Sequence, residues 1–348
     1  EGEILVALDA VAAEAVAERV RSSGAAACAV CLLFAFRNDS HERALGTALE
    51  AALPEMSVSL SSEVHPEFRE YERFSTTVLN AYLQPVMAPY IEALSTRIAG
   101  MATNASIGIN QSNGGLMAAD TAARYPVRTV LSGPAAGVVG AASAARSAGR
   151  NDVITLDMGG TSADVCLIRN GEVGFSFSRE VAGFPVRLPM VDINTVGAGG
   201  GSVAWFDRDG LMKVGPQSAG ADPGPACYGK GGEKPTVSDA NAVLGRLSSD
   251  GLLGGALHLD IEAARAAISA SARRLDMSIE RTAHGIISIV VANMVRAIRV
   301  VSVERGHDPR EFGLIAFGGA GPLHATEVAR ELGMREIIVP KDPGLLCA

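Results

Sequence analysis

Residues 154–168 read ITLDMGGTSADVCLI, two aspartates, two adjacent glycines and two hydroxyl side chains set between apolar runs. Gly159 and Gly160 have no Cβ, so a turn through them can bring bare amide N–H groups close to an anion. Thr161 and Ser162 add hydroxyl donors. Asp157 and Asp164 would repel a phosphate directly. They make chemical sense beside one only when Mg²⁺ intervenes or when one of them orients a water. The stretch is not a G-x-x-x-x-G-K-[ST] loop, because a strand and not a helix follows it. Without a ligand, the same residues read as a glycine-rich β-hairpin whose aspartates cap the turn.

A second loop lies about 160 residues further on, in LIAFGGAGPLHA at 314–325. Here an apolar strand runs into Gly318, Gly319, Ala320 and Gly321, and a helix begins at Pro322. Such a turn sets backbone amides and a helix N-terminus beside a flat or anionic ligand. Taken alone it is also an ordinary tight strand-to-helix connection. Between the two, VGAGGGS at 196–202 contains Gly199 and Gly200, which either line a cleft under a phosphate or serve as a hinge. Other reactive side chains read more plainly. Cys28 and Cys31 fall inside an apolar run and serve as small core residues. Cys227 has no His or Lys directly beside it to activate it. His65, His307 and His324 are scattered, with a structural or hydrogen-bonding role as the default.

The elements that must position these loops alternate. An Ala-rich helix at about 9–22, the strand ACAVCLLFAF, a helix from His41 to Leu53, the strand SVSLSSEV and a helix at 74–99 form a β-α-β texture. This predicts an α/β domain with a mixed or parallel sheet. The charged run PEFREYER reads as a solvated or domain-facing loop. LSGPAAGVVGAASAAR reads as a helix entered through Gly133-Pro134, its small residues suited to close packing. From residue 152 short β-type runs take over, with Asn170-Gly171 a strong hairpin signal. The segment 215–236 is irregular and rich in Gly and Pro. Helices return at SDANAVLGRL, IEAARAAISASARRL and 280–305, with Gly306 as a C-cap. The apolar stretch GIISIVVANMVRAIRVVSV carries Arg296 and Arg299 on a helical period and reads as a core helix, not a membrane span.

Composition sets the outer limits. The chain has 348 residues, 48% of them hydrophobic and 20% charged, enough for one large or two medium cores. A net charge of −8 with a pI near 5.4 argues against nucleic acid as the main partner. No basic run suggests an anionic membrane surface. Five cysteines make no disulfide framework, and a reducing cytoplasmic location is the expectation.

D-M-G-G-T-S-A-D resembles a phosphate loop of the actin, Hsp70 and sugar-kinase ATPase superfamily, and F-G-G-A-G-P resembles its adenosine loop. More narrowly, the chain resembles the hydantoinase A / 5-oxoprolinase family, which includes N-methylhydantoinases and subunits of acetone and acetophenone carboxylases. The stretches that carry this are PEFREYERFSTTVLNAYL, LSGPAAGVVGA, DMGGTSADV, NTVGAGGGSVAWFD, GADPGPACYGKGG, PTVSDANAVLGRL and IRVVSVERGHDPREFGLIAFGGAGPLHA. The resemblance implies an α/β, actin-like (ribonuclease H-like) fold with two halves around a nucleotide cleft. Residues 1–85 would be the later part of an N-terminal domain and 86–348 the hydantoinase A core. The loop at 154–168 would then be the second phosphate site, the first lying in sequence not present here. ATP and Mg²⁺ are the implied cofactors. Asp157 and Asp164 would hold metal and position water; Gly159, Gly160, Thr161, Ser162, Gly199 and Gly200 would hold phosphate; Gly318 to Gly321 would hold the adenosine side. The implied activity is ATP-dependent hydrolysis of a cyclic amide, with a ketone carboxylase subunit or a non-catalytic ATPase switch as alternatives. The implied partner is a hydantoinase B-type subunit or a fused C-terminal domain, in an oligomer.

Overall fold

The computed structural model describes residues 2–101, 105–248, 251, 255 and 257–347 of a mixed α/β chain. Two units divide it, Glu1–Ala135 with Phe175–Val191, and Ala136–Gly174 with Asp192–Ala348.

In the first unit, α1 (Ala10–Ser23) starts where the Asp9 carboxylate accepts the Val11 N–H, and stops at Gly24 in the left-handed region. Then come β1 (Ala27–Val30), α2 (Ser40–Ala52) and β2 (Ser57–Leu60). β1 and β2 pair in parallel, Ala27 opposite Ser57, over a small core of Ala17, Val30, Leu49 and Leu60. This is the expected β-α-β texture, but the first strand is shorter than ACAVCLLFAF suggests. The backbone after Val30 is claimed by side chains: Glu42 accepts the Leu32 N–H at 2.8 Å, and Arg73 Nη2 donates to the Leu32 carbonyl at 2.8 Å. With both groups taken, no strand can continue.

The helix α3 (Glu70–Met101) begins inside the charged run, which corrects the reading of PEFREYER as a solvated loop. Arg73 is fully buried. Its Nε donates to Ser61 Oγ at 3.1 Å and its Nη1 to the Glu67 carbonyl at 2.9 Å, and it pairs with Glu70. The rings of Phe36 and Phe74 lie 5.4 and 5.2 Å from the guanidinium carbon. Further along the same helix face, Asn80 donates to Ser59 Oγ and Gln84 to the Arg124 carbonyl. A buried polar seam therefore runs through this unit. A hairpin of β3 (Gly108–Asn110) and β4 (Leu116–Ala118) completes the part used below.

The second unit includes most of α4 (Ser132–Ser147). A Cβ at Gly137 would lie 2.6 Å from Cys347 Sγ and 2.9 Å from the Phe317 ring, so the small residues do serve close packing. The main sheet contains β5 (Val153–Met158), β6 (Ala163–Arg169) and β7 (Asn194–Val196), all antiparallel. Asn170 and Gly171, both at positive φ, turn the end of β6 back on itself as their sequence suggests. The hairpin β8 (Ser202–Phe206) and β9 (Met212–Ser218) and the helices α5 (Val237–Val243), α6 (Ile261–Leu275) and α7 (Ile279–Val301) follow. The strand β10 (Gly313–Phe317), helix α8 (Gly321–Leu332) and strand β11 (Ile337–Ile338) close the unit. Strand order across the sheet is β7-β6-β5-β10-β11, with β10 parallel to both β5 and β11. By length and composition α7 could cross a membrane, yet Ile286, Val290, Met294 and Ile298 are buried in the core with Leu314 and Val328. It is the core helix that its two arginines predict.

Removing the Arg73 side chain leaves the Leu32 and Glu67 carbonyls and Ser61 short of a donor. Arg73→Ala should lower stability in urea denaturation by about 3–5 kcal/mol, far more than truncation of the exposed Arg69.

Candidate functional site

The register of the main sheet aligns the site. Thr195 on β7 stands opposite Asp164 on β6, Asp164 opposite Asp157 on β5, and Asp157 opposite Phe317 on β10. Directly opposed residues project to the same face, so Asp157 and Asp164 share one side of the sheet at its loop end. Thr195 Oγ1 donates to Asp164 Oδ1 at 2.5 Å, and Cys347 Sγ donates to Asp157 Oδ2 at 2.9 Å. Burial raises the Asp157 carboxyl above the ordinary carboxylate range, and the Cys347 hydrogen bond only partly offsets this. Burial and the neighbouring Asp157 push the Cys347 thiol up to about 12, which keeps it a protonated donor.

Between β5 and β6, Gly159 and Gly160 lead the turn, closed by Gly159 N–H to the Ser162 carbonyl at 3.1 Å. Neither glycine has positive φ, and a Cβ built on either would meet no atom within 4 Å. Protein packing therefore does not demand glycine here. The bare backbone faces open space, which a close-approaching anion can use.

Gly199 and Gly200 differ. A Cβ on Gly199 would fall 2.4 Å from the Thr161 nitrogen and 2.5 Å from the Gly160 carbonyl carbon, and one on Gly200 would fall 2.9 Å from Ser238 Oγ. Their amides are used internally: Gly199 N–H goes to Ser202 Oγ and Gly200 N–H to the Gly159 carbonyl. Gly201 N–H goes to the Gly160 carbonyl at 2.7 Å. Gly199 and Gly200 thus brace the 159–161 turn, Gly199 by close packing against its backbone and Gly200 by its N–H to the Gly159 carbonyl.

The third loop abuts the same aspartate. Gly318 has φ +77°, and a Cβ there would fall 2.3 Å from Asp157 Oδ1. Only glycine meets both conditions. Ala320 N–H donates to the Met158 carbonyl at 2.8 Å, and a Gly321 Cβ would press on the Leu156 carbonyl at 3.1 Å. Gly319 faces open space. Helix α8 then starts without a side-chain cap and with Pro322 in its first turn, leaving its positive end available to an anion. The structure thus gathers Asp157, Asp164, the 159–162 turn, Gly199, Gly200 and the 318–321 turn in one unit.

Some contributors were not singled out from sequence. Thr195 and Cys347 act through tertiary contacts that no local spacing announces. Asp239 was legible, since Thr236-x-x-Asp239 is a capping-box spacing. It is fully buried and accepts from Cys227 N–H at 2.7 Å and from Thr236 N–H at 2.9 Å, which ties down the end of the segment 219–236; the first residues of the stretch expected to be irregular, 215–218, belong instead to β9. Ser238 N–H then reaches the Gly200 carbonyl at 2.7 Å. Cys227 itself is buried, and burial pushes its thiol up, so it is no nucleophile. His324 is buried on α8 beside Asn241 Nδ2 at 3.3 Å, and desolvation lowers its imidazole to about 4. His307 packs edge-on to Phe312. Among the described residues no three His, Cys, Asp or Glu gather as a metal cluster. Two opposed carboxylates suit Mg²⁺, which keeps several waters and takes one or two carboxylates plus phosphate oxygens.

The family model described as hydantoinase/oxoprolinase matches residues 73–348. The caprolactamase subunit alpha of Pseudomonas jessenii is 43% identical over all of this chain, which spans 50% of that protein. The crystal structure of ATP-dependent caprolactamase from the same organism superimposes with a TM-score of 0.85 at 42% identity, covering 99% of this chain and 50% of that one. The 5-oxoprolinase 1 of Arabidopsis thaliana is 37% identical over 93% of this chain and 27% of its own length.

Two outcomes test this geometry. Gly199→Ala must force backbone apart and should cost roughly 2–3 kcal/mol in chemical denaturation, whereas Gly160→Ala should stay within about 1 kcal/mol. Asp157 has a folded carboxyl pKa above its unfolded one, so its ionisation opposes folding at neutral pH, and that penalty disappears as pH falls through the folded value. Asp157→Asn should therefore unfold at a higher temperature than the wild type at pH 7, with the gap closing as pH is lowered toward 4.

Proposed function

Because the chain belongs to the hydantoinase/oxoprolinase family, we propose that it is the ATP-using part of an enzyme that opens cyclic amides. The observation that carries this is the convergence of two opposed carboxylates, an open diglycine turn and an uncapped helix start at one end of the sheet's central strands. The residues fit the implied Mg·ATP: Asp157 and Asp164 as oxygen ligands, the 159–162 amides and hydroxyls around phosphate, and the 318–321 turn on the nucleoside side. When bound, ATP supplies a phosphoryl group for the substrate oxygen, which removes the amide resonance that protects the ring from water.

The chain's own residues set the conditions for that chemistry. Thr195 orients Asp164, and the Cys347 thiol holds Asp157. The raised Asp157 carboxyl gains most from a cation, because a positive charge offsets the desolvation that disfavours its ionised form. The diglycine backbone is fixed by the Gly200 and Gly201 contacts behind it and by the Gly159 N–H to the Ser162 carbonyl, so the Gly160 N–H needs no reorganisation as charge builds on a transferring phosphoryl group. The chain spans about half of the caprolactamase subunit. The remainder of the enzyme, including a B-type partner or further domain, belongs to the same proposal.

A second reading rests on likeness to the acetophenone carboxylase gamma subunit of Aromatoleum aromaticum, 36% identical over 93% of this chain. Phosphate release from ATP separates the two. Release by the complete protein should depend on a lactam, hydantoin or 5-oxoproline, and should fall roughly a hundredfold in Asp157→Ala and Asp164→Ala. Release that requires a ketone with bicarbonate supports the carboxylase reading. Release indifferent to every small substrate removes both.

A further inference from the structure

The first unit contains a cavity of about 250 Å³ that the chemistry above does not use. Its apolar wall includes Val64 and Leu188, and its polar wall His65, Gln111, Asn113 and Arg128. Three segments meet at buried Ser112. Its N–H and Oγ both donate to the Arg128 carbonyl at 2.8 Å, and its own carbonyl accepts Val191 N–H at 2.8 Å. The walls are thus pinned by bonds to Ser112 that do not engage the Arg128 guanidinium.

Those side chains offer donors. Asn113 Oδ1 already accepts the Gly115 N–H at 2.9 Å, so its NH₂ is what remains for a ligand. The Arg128 guanidinium lies over the Tyr125 ring at 4.6 Å and makes no ion pair among the described residues. His65 is 5% exposed, and its Nε2 has no hydrogen-bond partner among the described residues. Desolvation lowers its pKa, so it is neutral at pH 7. The Glu67 carboxylate lies 3.5 Å from His65 Nε2 and is paired with Arg187 at 3.0 Å, and the lining side chains themselves include no carboxylate. In a chain of net charge −8, this is a small electropositive pocket with an apolar floor. Its volume lies just under the roughly 300–1,000 Å³ of sites for drug-sized ligands. We propose that this cavity binds a small carboxylate with an apolar body, held by Arg128 and by the Gln111 and Asn113 amides. Such a carboxylate comes either from an acidic cyclic amide or from the amino acid released when a ring opens, and this choice of ligands rests on the functional reading above.

The test uses the complete protein with three probes: 5-oxoproline, its ring-opened product glutamate, and the uncharged 2-pyrrolidone. Calorimetry should show at least one of the two acids binding tenfold or more tightly than 2-pyrrolidone, and which acid binds identifies the source. Arg128→Gln should abolish the preference and Arg128→Lys should keep part of it. Asn113→Asp retains the acceptor for Gly115 while adding a negative charge, and should weaken the acids selectively. Equal binding of all three probes, no binding, or a preference that survives Arg128→Gln in a protein of unchanged circular dichroism overturns the assignment. ATP turnover in the same samples keeps the two proposals apart. Cyclic-amide-dependent release whose KM is untouched by Arg128→Gln sinks the cavity and leaves the enzyme reading. An acid preference lost in Arg128→Gln without ATP turnover does the reverse.

Discussion

Two carboxylates, Asp157 and Asp164, face each other across adjacent antiparallel strands at the loop end of a sheet. Like charges so placed repel, and burial adds a further penalty on Asp157. Nothing in that pair favours folding. The sheet imposes it, through the buried run of β5, the parallel pairing with β10 and the apolar helix α7 packed in the same core. Local unfavourable pairing maintained by a strong surrounding core is the pattern expected where residues are kept for chemistry, and it is one support for the proposed site.

The glycines divide by what surrounds them. Gly199 and Gly318 are glycine because another part of the protein occupies the space a side chain would need: the 160–161 backbone in one case, the Asp157 carboxylate in the other. Gly159, Gly160 and Gly319 have empty space instead. The first kind builds a rigid cradle. The second kind is the cradle's surface, open where the proposed phosphate-bearing ligand would approach.

Polar burial is organised differently in the other unit. There Arg73 and Glu42 take up backbone groups that would otherwise extend a strand, and Asn80 and Gln84 continue the seam. Nearly every donor in this seam has a partner. The cavity beside His65 and Arg128 contrasts with it, since its donors are left over after the protein's own needs are met.

Much of this was legible in the sequence. Local signals suffice where the cause is local: the β-α-β texture, the Asn170-Gly171 turn, the core nature of α7 and the three glycine loops all follow from periodicity and turn chemistry. Family resemblance supplied the link between loops and nucleotide. Tertiary structure decided what depends on distant partners. It put Thr195 and Cys347 on the two aspartates, although Cys347 lies 190 residues from Asp157. It buried Arg73 in a run that reads as solvated, because the carbonyls and rings that satisfy a guanidinium come from other segments. It also packed Gly199 and Gly200 against the 159–161 turn and Ser238, neighbours that no local spacing announces. A sequence states which backbone can approach closely, and only the folded chain states what it approaches.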